Sequence, residues 1–568
     1  MRAEAIKSPS TLKWLWQMSG TQPRRMRGLL GFSFAVNLLL MVSPLYMLQI
    51  YDRVLSSGSK DTLIWMTVIA VFLLTIYAAA EAGRRRLAGI AGTKLDAALS
   101  KKAFARFEGS LDSPSALPRD LSNISKVQGP YQHGTLLAFF DLPFAPLFIG
   151  VLFIIHPVLG WLSVGGALVV FTVAALSEWL SREPAAEAAM VSARAGQLAD
   201  GLARQRSALV AMGLVGRAYE TWKSVKKEGE AQTTRASRSD SAFTAMSRGL
   251  RQILQVFILG TGAALALSQQ LSPGGIVAAS IILSRALAPI DMIVGSWRSI
   301  VQAKAAWGEV EDRLGHIIIE DYKTALPTPL ARLHIDRLSV TAPGSEVPLI
   351  RPFSVTLEAG TLVGIVGGNG SGKTTLLQTL AGAWPLASGS ADLGGRSIHN
   401  WPSADRGRHM GYVPQDVELF PGTVAENISR FGAGSPQDMF AAAQFAGAHD
   451  LILGLPDGYD TRIGPGGVHL SAGQRQLIGM ARAFFGAPVL MLLDEPTANL
   501  DADAAGHAIH ALKSHVANGA VVLVASHDPR LLSEADIVFT VNRGAIVAQP
   551  VKNSAPPSKI VKIRELKQ

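Results

Sequence analysis

Leu362-Val363-Gly364-Ile365-Val366-Gly367-Gly368-Asn369-Gly370-Ser371-Gly372-Lys373-Thr374 is the stretch on which the fold of this 568-residue chain turns. Its first five residues are apolar and partly β-branched, as a buried strand requires, and the run from Thr375 has the apolar spacing of a helix. Between them stands the pattern GxxxxGK(S/T), in the strand-then-helix setting that gives the pattern its meaning. Glycines 367, 368, 370 and 372 let successive backbone N–H groups, with those of Asn369 and Ser371, close round phosphate oxygens, and the following helix adds the positive end of its dipole. Lys373 is placed to neutralise β- and γ-phosphates and Thr374 to ligate Mg²⁺, with Thr375 next to them on the same cradle.

Short β-branched runs alternating with helical ones continue on both sides of this loop, from about Arg332 onward, which predicts an α/β sheet domain. Val489-Leu490-Met491-Leu492-Leu493 reads as a buried strand that ends in Asp494-Glu495. At the carboxyl end of such a strand Asp494 can hold Mg²⁺ through water, and Glu495 can polarise an attacking water as a general base.

With these residues in place, the second half resembles the ATP-binding-cassette superfamily. Leu470-Ser471-Ala472-Gly473-Gln474 looks like its signature sequence, Gln415 in Tyr412-Val413-Pro414-Gln415 matches its Q-loop, Asn499-Leu500-Asp501 its D-loop, and His527 its switch histidine. The resemblance implies ATP as the nucleotide, a further Mg²⁺ contact and a catalytic role for Gln415, and a γ-phosphate contact for His527. It also implies two cassettes arranged head to tail, so that Ser471, Ala472, Gly473, Gln474 and Asp501 of one copy meet the nucleotide held by the other. Two residues depart from the pattern. Ala472 stands in place of a signature glycine, and Ala342 stands where the family has an aromatic residue against adenine, near Val340 to Pro343.

The first half is of another kind. Only 17% of the chain is charged and mean hydropathy is +0.25, with the apolar residues concentrated before position 300. A membrane span takes about 20 apolar residues. Uncharged or apolar runs at 28–51 and 62–80 supply one span each; the run 142–177, interrupted at His156-Pro157, supplies two; and the run from 252, broken at Ser272-Pro273-Gly274-Gly275 and continuing to Trp297, supplies the last two. The first lacks a cleavage site and reads as a retained helix rather than a signal peptide. Lysine and arginine number 6 in residues 1–27, 9 in 81–135 and 12 in 178–251, against 2 in 51–61. That asymmetry places both termini and both long loops in the cytoplasm. It also explains the net charge of +10 without nucleic acid as a partner. The two long loops are rich in helix formers and are expected to continue the membrane helices outward. The chain has no cysteine, which excludes disulfides and thiolate chemistry.

The expected fold is thus a membrane all-α domain of six transmembrane helices fused to a soluble α/β P-loop ATPase domain. Its expected parts are a cytoplasmic segment at 1–28, the membrane domain at 29–300, a linker at 301–330, the nucleotide-binding domain at 331–550 and a basic, disordered tail at 551–568.

A narrower resemblance spans nearly the whole chain. Ser43 to Leu55, Leu283 to Asp291 and Gly411 to Phe431 look like the corresponding stretches of the inner-membrane exporters of type I secretion systems. The short segment before the first span leaves no room for the peptidase-like domain of some relatives, which points to the branch that exports proteases and lipases. The resemblance implies a homodimer in the bacterial inner membrane. Its expected partners are a periplasmic membrane-fusion protein, an outer-membrane duct, membrane lipid and an unfolded polypeptide with a C-terminal signal. A lipid or drug exporter shares the ATP motifs and is the alternative; a soluble cassette ATPase acting on DNA does not fit six spans. Arg285 and Asp291 in the sixth span and Asp141 at the start of the third are charges at membrane depth, which mark a substrate path when they face a cavity. Positions 285 and 291 do not share a helix face, so they do not simply pair with each other and a partner elsewhere or a cavity is expected.

Overall fold

The computed structural model describes residues 23–109, 116–132, 134–317, 327–342, 347–432 and 434–551. The expected tail beyond Val551 and most of the segment before the first span lie outside these residues. The chain divides into two units, one holding nearly all residues up to Ile318 and the other those from Ile319 onward.

Among its described residues the first unit has helices and no strand. Its helices are α1 (Pro23–Leu39), α2 (Val42–Gln49), α3 (Lys60–Gly109), α4 (Ala116–Gln132), α5 (Thr135–Asp141), α6 (Ala145–Ile155), α7 (Pro157–Arg204), α8 (Arg206–Ala211), α9 (Val215–Leu267), α10 (Pro273–Gly295) and α11 (Trp297–Leu314). Among the described residues five stretches are long and apolar enough to cross a membrane: Arg27–Ser57, Lys60–Glu108, Thr135–Ile155, Ala245–Leu267 and Pro273–Gly295. A shorter apolar stretch, Pro157–Val173, occupies the remaining expected position.

The breaks fall where the chain loses donors. Pro44 lacks an N–H and its ring crowds the carbonyl four residues back, and the first span is interrupted between α1 and α2 at Leu40 and Met41. Extended His156 ends α6 and caps α7, its Nδ1 accepting from Val158 N at 3.3 Å. Ser272 likewise caps α10 by accepting from Gly275 N at 3.1 Å.

Helices α3, α7 and α9 run for 50, 48 and 53 residues. At 1.5 Å per residue these are roughly 70 to 80 Å long, more than twice a hydrocarbon core of about 30 Å, so the two basic loops are indeed helical extensions. Large apolar side chains face outward along the spans, such as Ile154 at 84% and Leu267 at 89% exposure, an arrangement suited to lipid rather than water.

Among its described residues the second unit has two large sheets and a two-stranded ribbon. Strands β1 (Leu333–Thr341), β2 (Pro348–Leu357), β4 (Ser388–Leu393) and β5 (Arg396–Ser397) form an antiparallel sheet in the order β2-β1-β4-β5. The central sheet has the order β12-β11-β3-β10-β9-β6, from β3 (Thr361–Gly367), β6 (Met410–Val413), β9 (Leu490–Asp494), β10 (Val521–Ala525), β11 (Ile537–Asn542) and β12 (Ala545–Pro550). All its pairings are parallel except β11 with β12.

The central strands are apolar on both faces because both are covered. Leu490, Leu492, Val521, Leu523 and Ala525 join one core, and Met491, Leu493, Val522 and Val524 the other. The first core takes in α12 (Lys373–Leu380) and the antiparallel sheet. The second takes in α15 (Pro436–Phe445), α17 (Ala472–Phe484) and α18 (Ala502–Ala517). Between β6 and α15 lie a short strand β7 (Gly422–Thr423) and α14 (Val424–Ile428), and before β6 stands α13 (Ser403–His409); after α15 come α16 (His449–Leu453) and β8 (Arg462–Ile463), which pairs with β7 as a ribbon.

Candidate functional site

Strand order and register bring the site together. Ala525 of β10 pairs with Ile365 of β3 on one side and Asp494 of β9 on the other, so the carboxyl ends of three adjacent parallel strands lie in one row. From these ends emerge the glycine-rich loop, the Asp494-Glu495 pair and His527, in the crevice where open α/β sheets bind ligands.

Gly372 has φ +102°, a conformation that strains any side chain, and it turns the loop into α12. Leu376 N then donates to Gly372 O at 2.8 Å, the first bond of the helix whose N-terminus faces the loop. Lys373 Nζ donates to the carbonyl oxygens of Gly367 at 2.7 Å and Gly368 at 3.3 Å, which holds the ammonium against the loop. Asn369 and Gly370 are exposed at its tip, with Ser371, Thr374 and Thr375 half-buried behind.

Asp494 is 2% exposed. Burial pushes its carboxyl above the usual aspartate value, while the Thr374 hydroxyl and the Lys373 charge pull it back. Its Oδ2 and the Ser371 Oγ are buried without a hydrogen-bond partner among the described residues. A divalent cation between Thr374 and Asp494 would satisfy such an orphaned carboxylate oxygen, so the donor set fits Mg²⁺.

Glu495 has φ +50°, a left-handed backbone that costs a non-glycine residue about 1 kcal/mol or more. It is held by its own N–H, which donates to Ala525 O at 2.8 Å. Its Oε2 accepts from His527 N at 3.4 Å and its Oε1 lies 3.8 Å from His527 Nε2. The two side chains predicted for water activation and γ-phosphate contact are thus neighbours. Gln415 is exposed just beyond β6, the strand that pairs with β9.

The remaining expected residues stand apart from this crevice. Ser471 is the N-cap of α17: its Oγ accepts from Gln474 N at 3.2 Å, and Gln474 Oε1 accepts from Ser471 N at 2.8 Å. Ala472 is exposed. A Cβ on Gly473 would meet Asn499 O at 2.8 Å, so glycine is what lets the signature lie against Asn499-Leu500-Asp501. Asp501 caps α18 through Ala504 N at 2.8 Å. Neither Ser471 nor Asp501 bonds to the glycine-rich loop among the described residues. Ala342 is half-buried at the end of β1, and Pro343 lies outside the described residues.

Gln476 escaped the sequence reading. Its side chain is fully buried, and its Nε2 donates to Pro496 O at 3.0 Å and Glu495 O at 3.4 Å, tying α17 to the turn that carries Glu495. The available signal was a polar residue at a core position of an amphipathic helix.

In the membrane unit the three predicted charges differ in fate. Asp141 is paired: Arg84 Nη1 reaches its Oδ1 at 2.6 Å, and Asn37 Nδ2 donates to the same oxygen at 2.8 Å. Asp291 pairs with Arg251 at 3.1 Å and accepts from Ser247 Oγ at 2.9 Å. Both are therefore held in helix-to-helix contacts. Arg285 is exposed and has no polar partner among the described residues.

The family model described as "ABC transporter" matches residues 350–498. The type I secretion system ATP-binding protein PrsD of Rhizobium meliloti is 35% identical over 524 residues, 91% of this chain and 89% of that one. This chain belongs to the type I secretion ATP-binding-cassette exporters. The exporter also resembles the cyclolysin secretion/processing ATP-binding protein CyaB of Bordetella pertussis, at 31% over 52% of this chain and 42% of that one. Likeness to an ATP-dependent lipid A-core flippase of Pseudomonas fluorescens, 37% identical, is confined to 38% of this chain and 36% of that one, so the type I secretion reading is favoured over lipid export. A bacterial Atm1-family ABC exporter solved with ATP bound has the same fold, with a TM-score of 0.76 at 18% identity over 92% of this chain and 94% of that one. The exporter is a multi-pass membrane protein that binds and hydrolyses ATP to drive export.

Proposed function

We propose that two copies of this exporter pair in the bacterial inner membrane, with both termini in the cytoplasm, and thread an unfolded polypeptide carrying a C-terminal signal across it. A periplasmic membrane-fusion protein and an outer-membrane duct would receive the chain. We assign residues 29–300 to the membrane domain, 301–330 to a linker and 331–550 to the cassette. The observation that carries the mechanism is the row formed by Ile365, Ala525 and Asp494, which sets the glycine-rich loop, Asp494, Glu495 and His527 at one crevice.

There the N–H groups from Gly367 to Thr375 and the Lys373 ammonium bind the phosphates. Thr374, Asp494 and Gln415 would hold Mg²⁺, which when bound neutralises charge on the β- and γ-phosphates. Glu495 takes a proton from the attacking water, Gln415 orients that water, and His527 donates to the γ-phosphate. Ser471, Ala472, Gly473, Gln474 and Asp501 lie away from their own loop and present to the nucleotide of the second copy. Arg285, the exposed charge on α10, lines the entrance for an acidic segment of the passenger. Asp291 and Asp141 shape that entrance through their pairing with Arg251 and Arg84.

Comparing culture supernatants of a deletion strain with and without the restored gene tests the reading. A specific extracellular protein should vanish with the gene, and Arg285→Ala should reduce its secretion while leaving basal ATPase near the parental rate. Supernatants unchanged by the deletion would refute protein export, and normal secretion by Arg285→Ala would refute the role of Arg285.

A further inference from the structure

The signature helix has a second end, opposite Ser471, and a half-buried cation closes it. The last carbonyls of a helix lack partners within it. In α17 those of Ala481 and Phe484 accept from Phe485 N at 3.1 Å and Ala487 N at 3.0 Å. The other two are taken by Arg430. Its Nε and Nη2 donate to Arg482 O at 3.1 and 2.9 Å, and Nη2 also donates to Ala483 O at 3.2 Å. Nη1 turns the other way, donating to Gly407 O of α13 and to Met410 O at the root of β6, the latter at 3.3 Å.

Every N–H of the guanidinium is thus engaged on four converging carbonyls from three elements, a fork that the three donors of lysine cannot reproduce. The Phe485 ring lies 5.9 Å from Arg430 Cζ. Burial, with Arg482 nearby, lowers the Arg430 pKa to about 10. The chain accepts strain to place this side chain, because Arg430 and Phe431 have φ +52° and +63°, two consecutive non-glycine residues in the left-handed region, before Gly432 at +92°.

We infer that Arg430 is a positioning residue for ATP turnover: it locks the C-terminal end of α17 to the root of β6 and thereby sets Ser471 relative to Gln415, which lies beyond the other end of β6. This rests on the proposed meeting of Ser471 with the nucleotide of the second copy. A displacement of about 1 Å far from the chemistry can cost about 10²-fold in rate.

Full-length exporter carrying Arg430→Lys or Arg430→Ala is compared with the parent for ATPase kcat and KM, for binding of a fluorescent ATP analogue and for melting temperature. Ser471→Arg serves as the reference for loss of the cross-copy contact. A fall in kcat of about tenfold or more, with analogue affinity and KM within about threefold and a melt close to the parent, is expected of Arg430→Lys. A parental kcat, or a kcat that falls only in step with binding and melting, overturns the positioning role. Should Arg430→Ala not fold, Arg430→Lys decides alone. Turnover retained in Ser471→Arg overturns the cross-copy reading and this inference together; turnover lost there but kept in Arg430→Lys overturns this inference alone.

Discussion

Replacing Glu495 by Gln isolates the proposed general base, because the structure leaves little else for the substitution to change. The left-handed backbone at φ +50° is held by the main-chain bond to Ala525 O at 2.8 Å, which does not involve the side chain. The glutamine oxygen can still accept from His527 N, where the carboxylate now does at 3.4 Å. Packing is preserved as well, since the two side chains match in shape and the glutamate is only 16% exposed. What disappears is the negative charge and the capacity to take a proton. A general base contributes about 10²- to 10⁴-fold. At about 1.36 kcal/mol per decade that is roughly 2.7 to 5.4 kcal/mol of barrier. ATP affinity should change by no more than about twofold, because the groups proposed to hold the phosphates are the loop and Lys373. The assay is steady-state ATPase of the full-length exporter beside a nucleotide-binding titration on the same preparation. Turnover within about threefold of the parent would refute the assignment, and would mean that the carboxylate serves only to hold His527.

Lys373→Ala should weaken nucleotide binding itself by about tenfold or more, read by the same titration, because the ammonium meets the phosphates before any chemistry; unchanged affinity would count against it. Asp494→Asn should have opposite effects with and without ligand. Burial raises the Asp494 pKa above the ordinary aspartate value, so the folded cassette binds more protons than the unfolded chain in the window just above that value, and its stability falls as pH rises through it. Without nucleotide the asparagine variant should therefore melt higher than the parent at neutral pH, with the gap closing toward the ordinary aspartate range, yet gain nothing from Mg²⁺-ATP. An equal melt at neutral pH would show that this burial costs nothing. Asp52→Ala should destabilise the membrane unit by about 1 to 3 kcal/mol, since the carboxylate accepts from Ser272 Oγ at 2.6 Å and Gly274 N at 2.9 Å at the start of α10. An unaltered thermal melt in detergent would refute that estimate.

What the sequence made legible is what depends on neighbours along the chain. The glycine-rich loop announces itself because strand, turn and helix are contiguous, and the breaks at His156-Pro157 and Ser272-Pro273 follow from local donors and sterics, whereas the interruption before Pro44 was not read from the run 28–51. The face a residue takes is legible in the same way: six positions do not bring Arg285 and Asp291 onto one side of a helix, and the structure indeed finds the partner of Asp291 in Arg251, on another helix. The identity of such partners was not legible. Asp141 meets Arg84, and Asp52 meets Ser272, across separations of 57 and 220 residues that periodicity cannot bridge.

The same limit hid how α17 is held, and there the consequence reaches the chemistry. Sequence marked only its first residues, from Ser471 to Gln474. The structure adds Gln476, bonded to the carbonyls of Glu495 and Pro496, and Arg430, bonded to those of Arg482 and Ala483. Both use side-chain donors on backbone acceptors, an interaction that leaves no complementary charge elsewhere in the sequence to search for. A helix fastened at these two points cannot tilt freely against the sheet. Any displacement that contact with a second copy imposes on Ser471 must pass along a helix of 13 residues, into the strained turn at Glu495 through Gln476 and into the root of β6 through Arg430. The elements that end in Glu495 and Gln415 are therefore the ones mechanically tied to the signature, and a change at that surface has a direct route to the groups proposed to position and activate water.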